Sequence, residues 1–436
     1  MLKLENENMN LFQLVLLLSG YRVNKAKKHL LSIQEEIASI GVAKYQEKKK
    51  WEIYKFHIQN NLKYSKYQEQ EAKNWEDILP LRKGDYQEGL IAWLSEQYQY
   101  KKTYVSSTSG SSGHPFWFAK NKYCHALTWA SVFDLYKKAG IKFNDLEARF
   151  YGIPLSGTSR IMEKTKDLIM KRVRFPVFDM SDQVLSKYLD QFRQKKFIYI
   201  YGYSSALVLF ARYCISKKIV LKEICPTLQL CIYTSETAGE EDIKLLRQAF
   251  NVGIRSEYGA SEIGIISFED ADGVFQVDDR LVYIEEYEKD DGTKTTLITS
   301  LYNKAFPIIR YDIGDIVSLN RDENGTTICQ IEGRTNDVVI LPGGKKAAGL
   351  TFYYISRSLL EKSGSLKEFI IRQKAIDHFV FEIVSLEPLS DEDIKLIKKE
   401  TARYLMPNLK LDFIYKDSIP RLKNGKIKHF ISEIDI

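Results

Sequence analysis

From Phe197 to Glu257 the chain keeps switching between two periodicities. Phe197–Tyr201, Leu228–Thr234 and Gly253–Glu257 are β-branched and aromatic runs of strand length, while Ser205–Ser216 and Glu240–Phe250 repeat their apolar residues at helical spacing. A helix between each pair of short strands buries both kinds of element only when helices pack on a sheet. The stretch therefore predicts layered α/β structure.

The flanks differ in character. Residues 20–100 are helical and heavily charged, with Ala26–Ile40 and Lys44–Asn61 as the clearest periodic stretches, and read as a helical cap over about 1–100. From Asp279 to Ile340 short strands dominate, with turns at Asp291-Gly292 and Asn324-Gly325, which predicts a β-barrel-like part built from hairpins. After Gly333 a smaller unit follows, with helices at Leu350–Lys362 and Ser390–Tyr404 and strands at Glu368–Arg372, Phe379–Leu386 and Leu411–Tyr415. Ser390 with Asp393 has the form of an N-cap and first-turn acid. The length of 436 residues admits two or three domains, and the pattern predicts two, 1–335 and 336–436.

Composition excludes several classes. With 44% apolar and 28% charged residues the chain is globular rather than disordered. A net charge of +7 spread over this length admits anionic ligands without calling for nucleic acid. The five cysteines at 124, 214, 225, 231 and 329 contain no C-x-x-C spacing, so neither a disulfide framework nor a zinc site is expected, and free thiols suit a reducing cytoplasm. The apolar run Leu11–Leu18 is far shorter than the ~20 residues a membrane span needs, and Glu5 and Glu7 precede it in place of a basic leader. Residues 9–19 read as a buried or amphipathic helix, with a membrane-surface helix as the alternative that the flanking acids weaken. The 27 tyrosines suit a protein with deep clefts.

Five constellations could carry chemistry. Thr108-Ser109-Gly110-Ser111-Ser112-Gly113 offers hydroxyls and close backbone approach to phosphate oxygens, yet lacks the Gly-Lys-Ser/Thr of a Walker A loop. It lies between apolar flanks, Tyr104-Val105 and Phe116-Trp117-Phe118, which argues against a linker. Tyr258-Gly259-Ala260-Ser261-Glu262 places an aromatic ring and a hard oxygen donor on one loop, suited to a planar base and Mg²⁺. Arg310-Tyr311-Asp312-Ile313-Gly314-Asp315 ends in a carboxylate able to accept two hydroxyl hydrogen bonds. Gly333-Arg334 and Asn424-Gly425-Lys426 complete the set. Taken singly, each also fits a linker, an ordinary turn, a surface ion pair or a solvated lysine.

Their order along the chain resembles that of the adenylate-forming (acyl-CoA synthetase) superfamily over roughly residues 80–436. The resemblance is strongest to the phenylacetate–CoA ligase-like branch, in particular the CapK-type members of capsule and surface-polysaccharide clusters. It implies ATP-dependent activation of a small-molecule carboxylic acid as an acyl-adenylate with pyrophosphate release. Acyl transfer to the thiol of coenzyme A would follow. It further implies a small C-terminal domain that rotates between the half-reactions. By this resemblance Ser109, Ser111 and Ser112 hold the β- and γ-phosphates, and Ser235-Glu236-Thr237 lines the adenine site. Tyr258 stacks on adenine, Glu262 ligates Mg²⁺ and Asp315 binds the ribose. Arg334 contacts ribose or phosphate, and Lys426 bridges the acyl carboxylate and the α-phosphate. Tyr201, Tyr203, Ser204 and Tyr233 fall where the family lines its acyl pocket. A homodimer is admitted as an assembly.

Some positions depart from the family. Phe116 stands where a lysine often follows the loop's proline, and Asn336 stands at the hinge position two after Arg334. Leu341–Gly349 is unusually Gly-rich and basic, either a CoA-phosphate contact or a solvated loop. Three rival readings remain. One is transfer to a carrier protein, amine or sugar instead of CoA. Another is a non-catalytic nucleotide-binding accessory protein. The third is a serine hydrolase whose nucleophile is Ser204, in Gly202-Tyr203-Ser204-Ser205-Ala206, although Ala206 breaks the glycine rule of a nucleophile elbow.

Overall fold

The structure, a computed structural model, describes residues 11–434 except 87, 108–115, 153–156, 178–179, 181, 236–237, 291, 293, 335–337, 345, 349–365, 386 and 420–429. A few further side chains, Arg334 and Ser205 among them, also lie outside the described set. The chain divides into two compact units. One comprises Met1–Tyr287, Leu297–Ile313 and Ser318–Cys329, and the other Glu288–Thr296, Gly314–Val317 and Gln330–Ile436.

The first unit opens with helices α1 (Leu11–Leu18), α2 (Val23–Ile40), α3 (Val42–Asn60) and α4 (Leu62–Gln68). Val23, Ala26, Leu30 and Ile33 form the buried stripe of α2, at the 3.6-residue spacing that the sequence predicts. Gly41 separates α2 from α3 at φ 83°, a left-handed conformation that favours glycine. Asn61 caps α4 through its Oδ1, which accepts from the Tyr64 N–H at 2.9 Å. The helices are bound to the rest of the unit: Tyr45 donates to the Arg280 carbonyl at 2.7 Å and Gln46 to Asp279 at 2.8 Å.

Strands β1 (Tyr104–Ser107) and β2 (Trp117–Lys120) pair antiparallel with Ser107 opposite Trp117, and α5 (Lys122–Lys138) follows. The alternating region comprises β3 (Glu147–Phe150), α6 (Gly157–Ile169), β4 (Arg172–Phe175), α7 (Asp182–Gln194) and β5 (Tyr199–Tyr203). It continues with α8 (Ser204–Ser216), α9 (Leu221–Ile224), β6 (Leu230–Thr234), α10 (Glu240–Phe250), β7 (Gly253–Ala260), β8 (Gly264–Glu269) and β9 (Phe275–Val277). Next come β10 (Val282–Glu288), β11 (Lys294–Ser300), β12 (Tyr311–Asp312), β13 (Asp315–Asp322) and β14 (Gly325–Arg334).

The main sheet has the order β13-β14-β9-β8-β7-β6-β5-β3-β4. Its β4-β3-β5-β6-β7 portion is parallel, and β7-β8-β9 turns antiparallel. One face packs α7, α8 and α10 over a core rich in Phe150, Phe175, Phe192 and Phe210. The segment read as barrel-like is different: β10, β11 and β12 form an open three-stranded sheet, and no closed barrel occurs among the described residues. β13 and β14, which follow, pair instead at the edge of the main sheet.

The second unit holds β15 (Val338–Ile340), β16 (Lys346–Ala348), β17 (Leu366–Ala375), β18 (His378–Ser385), α11 (Asp391–Tyr404), β19 (Lys410–Tyr415) and β20 (Phe430–Ser432). Its four-stranded sheet has the order β19-β18-β17-β20 and its own core around Phe369, Ile371, Phe381 and Ile397. Ser390 closes a full capping box with Asp393 at the start of α11. The helix expected at Leu350–Lys362 lies outside the described residues.

Candidate active site

In open parallel sheets ligands bind beyond the carboxyl ends of the strands. In this chain Tyr203 of β5, Thr234 of β6 and Glu257 of β7 stand level at that edge. Thr234 Oγ1 donates to the Glu257 carbonyl at 2.9 Å, locking two strand ends together. Ser235 comes next and adopts φ 72°, a left-handed backbone uncommon for serine and worth about 1–3 kcal/mol of strain. Its Oγ is 3.5 Å from the Tyr151 hydroxyl, and the Tyr151 ring lies 4.0 Å from that of Tyr203. Glu236 and Thr237 lie outside the described residues.

Tyr258, Gly259 and Ala260 belong to β7 itself and not to a loop, because β7 runs on to pair with β8. The register slips between Tyr258 and Gly259. A Cβ at Gly259 would sit 2.4 Å from the Gly264 carbonyl oxygen, so the glycine permits this close approach. Ser261 is exposed at the turn, and Glu262 is folded inward with only 3% exposure. Tyr311, in β12, donates its hydroxyl to Glu262 Oε1 at 3.0 Å. The Phe116 ring stacks on Tyr311 at 5.8 Å, so the departure from lysine at this position puts an aromatic support behind the residue that holds Glu262.

Sequence reasoning missed Lys120. It ends β2, is 2% exposed, and donates Nζ to the Ile263 carbonyl at 2.9 Å, one residue past Glu262. Burial pushes its ammonium down, opposed by the Cys124 thiol and the Glu262 carboxylate. The strand leaving the Ser/Gly-rich segment is thereby tied to the turn carrying Glu262. A lone lysine in an apolar strand carries no sequence signal of such a contact.

Other candidates separate. Tyr201 and Tyr233 project from opposite faces of the sheet: Tyr201 packs with Ile232 and Phe268, whereas Tyr233 packs with the α8 side. They do not share a wall. The Tyr201 hydroxyl donates to Glu257 Oε1 at 2.8 Å and Tyr136 to Oε2 at 2.7 Å, while burial pushes the Glu257 carboxyl up against those two hydrogen bonds. Arg149 lies over the rings of Tyr201 and Tyr151 at 4.5 and 4.9 Å and pairs with Glu147 at 2.6 Å. Ser204 is buried in the first turn of α8 without a left-handed backbone, so it lacks the exposed, strained geometry of a nucleophile elbow.

Asp315 opens β13 in the second unit and is buried, following Gly314 at φ 77°. Thr108–Gly113, the side chain of Arg334, Asn336 and Lys426 lie outside the described residues. Among the described residues no three His, Cys, Asp or Glu side chains converge as a metal cluster. One buried carboxylate nevertheless suits Mg²⁺ carried on a nucleotide, since that ion binds through one or two carboxylates plus phosphates and waters. Glu262 supplies one such carboxylate, a hard oxygen donor that is buried and held at Oε1 by the hydroxyl of Tyr311.

No sequence-family profile matches the chain. Protein CapK of Staphylococcus aureus is 24% identical over 240 residues, covering 53% of this chain and 52% of that protein. The match thus spans about half the length of the curated relative. A solved 2-hydroxyisobutyryl-CoA ligase in its postadenylation state superposes with a TM-score of 0.68 at 15% identity, covering 89% of each chain. Anthranilate CoA ligase AuaEII bound to anthranoyl-AMP gives 0.53 at 15% identity, over 76% of this chain and 67% of that one. The amide bond synthetase McbA of Marinactinospora thermotolerans gives 0.51 at 13% identity, over 75% and 67%. At these identities the likeness shows the fold, and the mixed sheet with its parallel β4-β3-β5-β6-β7 portion is the fold of the acyl-CoA ligases.

Proposed function

We propose that the chain is an AMP-forming ligase that joins a carboxylic acid to ATP, releases pyrophosphate and passes the acyl group to a thiol. The observation that carries the reading is the buried Glu262, held by Tyr311 one turn beyond Tyr258 at the carboxyl edge of the sheet. In this reading Tyr258 stacks on adenine with Ser235–Thr237 beside it, and Asp315 and Arg334 take the ribose. Ser109, Ser111 and Ser112 grip the β- and γ-phosphates. Glu262 holds the nucleotide's Mg²⁺, which when bound offsets phosphate charge. Lys426 supplies a compact ammonium between the acyl carboxylate and the α-phosphate, where two anions must meet. Tyr203 and Tyr151, which touch each other, and the neighbouring Tyr201 make an aromatic, hydroxyl-bearing approach for the acid. A large domain 1–335 and a small domain 336–436 that rotates between half-reactions complete the proposal.

Coenzyme A is the proposed acceptor, and a place in surface-polysaccharide metabolism is proposed with it from the motif resemblance to CapK-type members. The likeness to an amide bond synthetase keeps an amine acceptor as the second reading. The test is ATP–pyrophosphate exchange across a panel of carboxylic acids, followed by addition of CoA or an amine to the best substrate. Exchange with at least one acid and consumption of CoA are expected. Exchange without CoA consumption selects another acceptor, and no exchange with any acid overturns the ligase reading. Lys426→Ala is expected to lower exchange by about 10²–10³-fold while sparing transfer from a supplied acyl-adenylate.

A further inference from the structure

Helix α1 leaves much of its apolar surface uncovered. Phe12 and Leu16 are its anchors: the Phe12 ring lies 4.8 Å from Trp129 and 5.2 Å from Phe143, and Leu16 joins the same cluster with Met170. The remaining leucines point away from that cluster, with Leu11 57%, Leu14 37%, Leu17 46% and Leu18 78% exposed. At 11, 14, 17 and 18 they recur at helical spacing, so they form one face on a helix whose other face is held firmly by aromatic packing.

From α1 into α2 the charge has one sign, although the acids Glu5 and Glu7 stand upstream of the helix. No Asp or Glu occurs from Leu11 to Gln34, while Arg22, Lys25, Lys27 and Lys28 follow α1 directly. Arg22, Lys25 and Lys28 are exposed. Lys122 reaches the C-terminal end of α1, where its Nζ donates to the Ser19 carbonyl at 2.9 Å and lies 5.7 Å from the Tyr21 ring centre. A leucine face rimmed by cations matches an anionic lipid surface: leucines enter the headgroup–acyl boundary and the Lys and Arg heads stay among the phosphates. The helix is too short to cross, and no described helix is long and apolar enough to span a membrane.

We infer that α1 and the start of α2 form a membrane-surface docking site that holds the chain on anionic bilayers. Only peripheral, salt-sensitive attachment follows, because a single short helix buries little surface. The inference stands on surface residues outside the proposed active site and does not depend on the ligase reading.

The test is co-sedimentation of the full chain with phosphatidylcholine vesicles and with vesicles containing phosphatidylglycerol, at low and high salt. Three forms are compared: wild type, a Leu11→Gln/Leu14→Gln/Leu17→Gln/Leu18→Gln variant and an Arg22→Ser/Lys25→Ser/Lys28→Ser variant. Wild type is expected to pellet with the anionic vesicles and to lose binding at high salt. The leucine variant should partition about tenfold more weakly, and the basic variant should lose its preference for anionic lipid. Circular dichroism and thermal melting check that both variants fold, since all seven positions are exposed. Wild type that ignores both vesicle types, or a leucine variant that binds as well as wild type, overturns the inference. So does a wild type that is dimeric without lipid and becomes monomeric on leucine substitution, which would assign the face to a second copy.

Discussion

Glu262 is held in place by other residues. Its Oε1 accepts from Tyr311, the ring of Tyr311 rests on Phe116, and the next carbonyl is gripped by Lys120. Tyr311→Phe removes the hydroxyl and keeps the ring, so packing survives while a buried carboxylate oxygen loses its donor. The expected cost is about 1–3 kcal/mol in urea unfolding, together with a higher Mg-ATP concentration for half-maximal exchange. Unchanged values for both would show that the hydroxyl does not position Glu262. The sequence offers Tyr258 and Glu262 as residue types suited to a base and a metal ion, and the structure adds the neighbours that hold Glu262. Tyr311 stood inside another motif but had no assigned role, and Lys120 had no signal, because contacts between distant segments leave no mark on local spacing.

At the scale of elements, local chemistry was the better guide. Ser390 and Asp393 announced the start of α11, and the capping box is present as read. Ser390→Ala should weaken that helix by about 1 kcal/mol, read as faster hydrogen exchange of amides in its first turn. No change in that exchange would mean the cap is redundant. The strands of the alternating region also stand close to where periodicity placed them. The limit of β7 was missed: apolar pattern ends it at Glu257, whereas pairing with β8 carries it to Ala260. The same alternation places Tyr201 and Tyr233 on opposite faces, since their registers, 201 with 232 and 202 with 233, differ by one residue.

Across the molecule, much of the tyrosine content acts as long-range hydrogen-bonding cross-links. Tyr45 reaches Arg280, Tyr86 reaches the Pro307 carbonyl, and Tyr199 and Tyr201 reach Glu147 and Glu257. The buried His57 serves the same end. His57 is fully buried between the Asn303 carbonyl at 2.8 Å and Ser95 Oγ at 3.2 Å, and burial pushes its pKa down to about 4. Its folded form therefore prefers the neutral ring. The stability it contributes is complete above its ordinary value of 6.5 and is lost as pH falls toward about 4, up to roughly 3 kcal/mol. His125 shifts the same way, to about 3, again by burial. Urea unfolding at pH 7.5 and pH 5 should reveal the loss, and His57→Gln should flatten it; an equal slope in the variant would exclude His57.

The sequence by itself determined the layered α/β class and the order of the chemical motifs. Periodicity, caps and residue chemistry act over a few positions and are written along the chain. Only the tertiary structure decided that β10, β11 and β12 form an open sheet, that Lys120 and Tyr311 enclose the Glu262 turn, and that Leu11–Leu18 packs by one face and exposes the other. Each of these depends on which distant segments meet, and burial and register set those meetings where local spacing cannot.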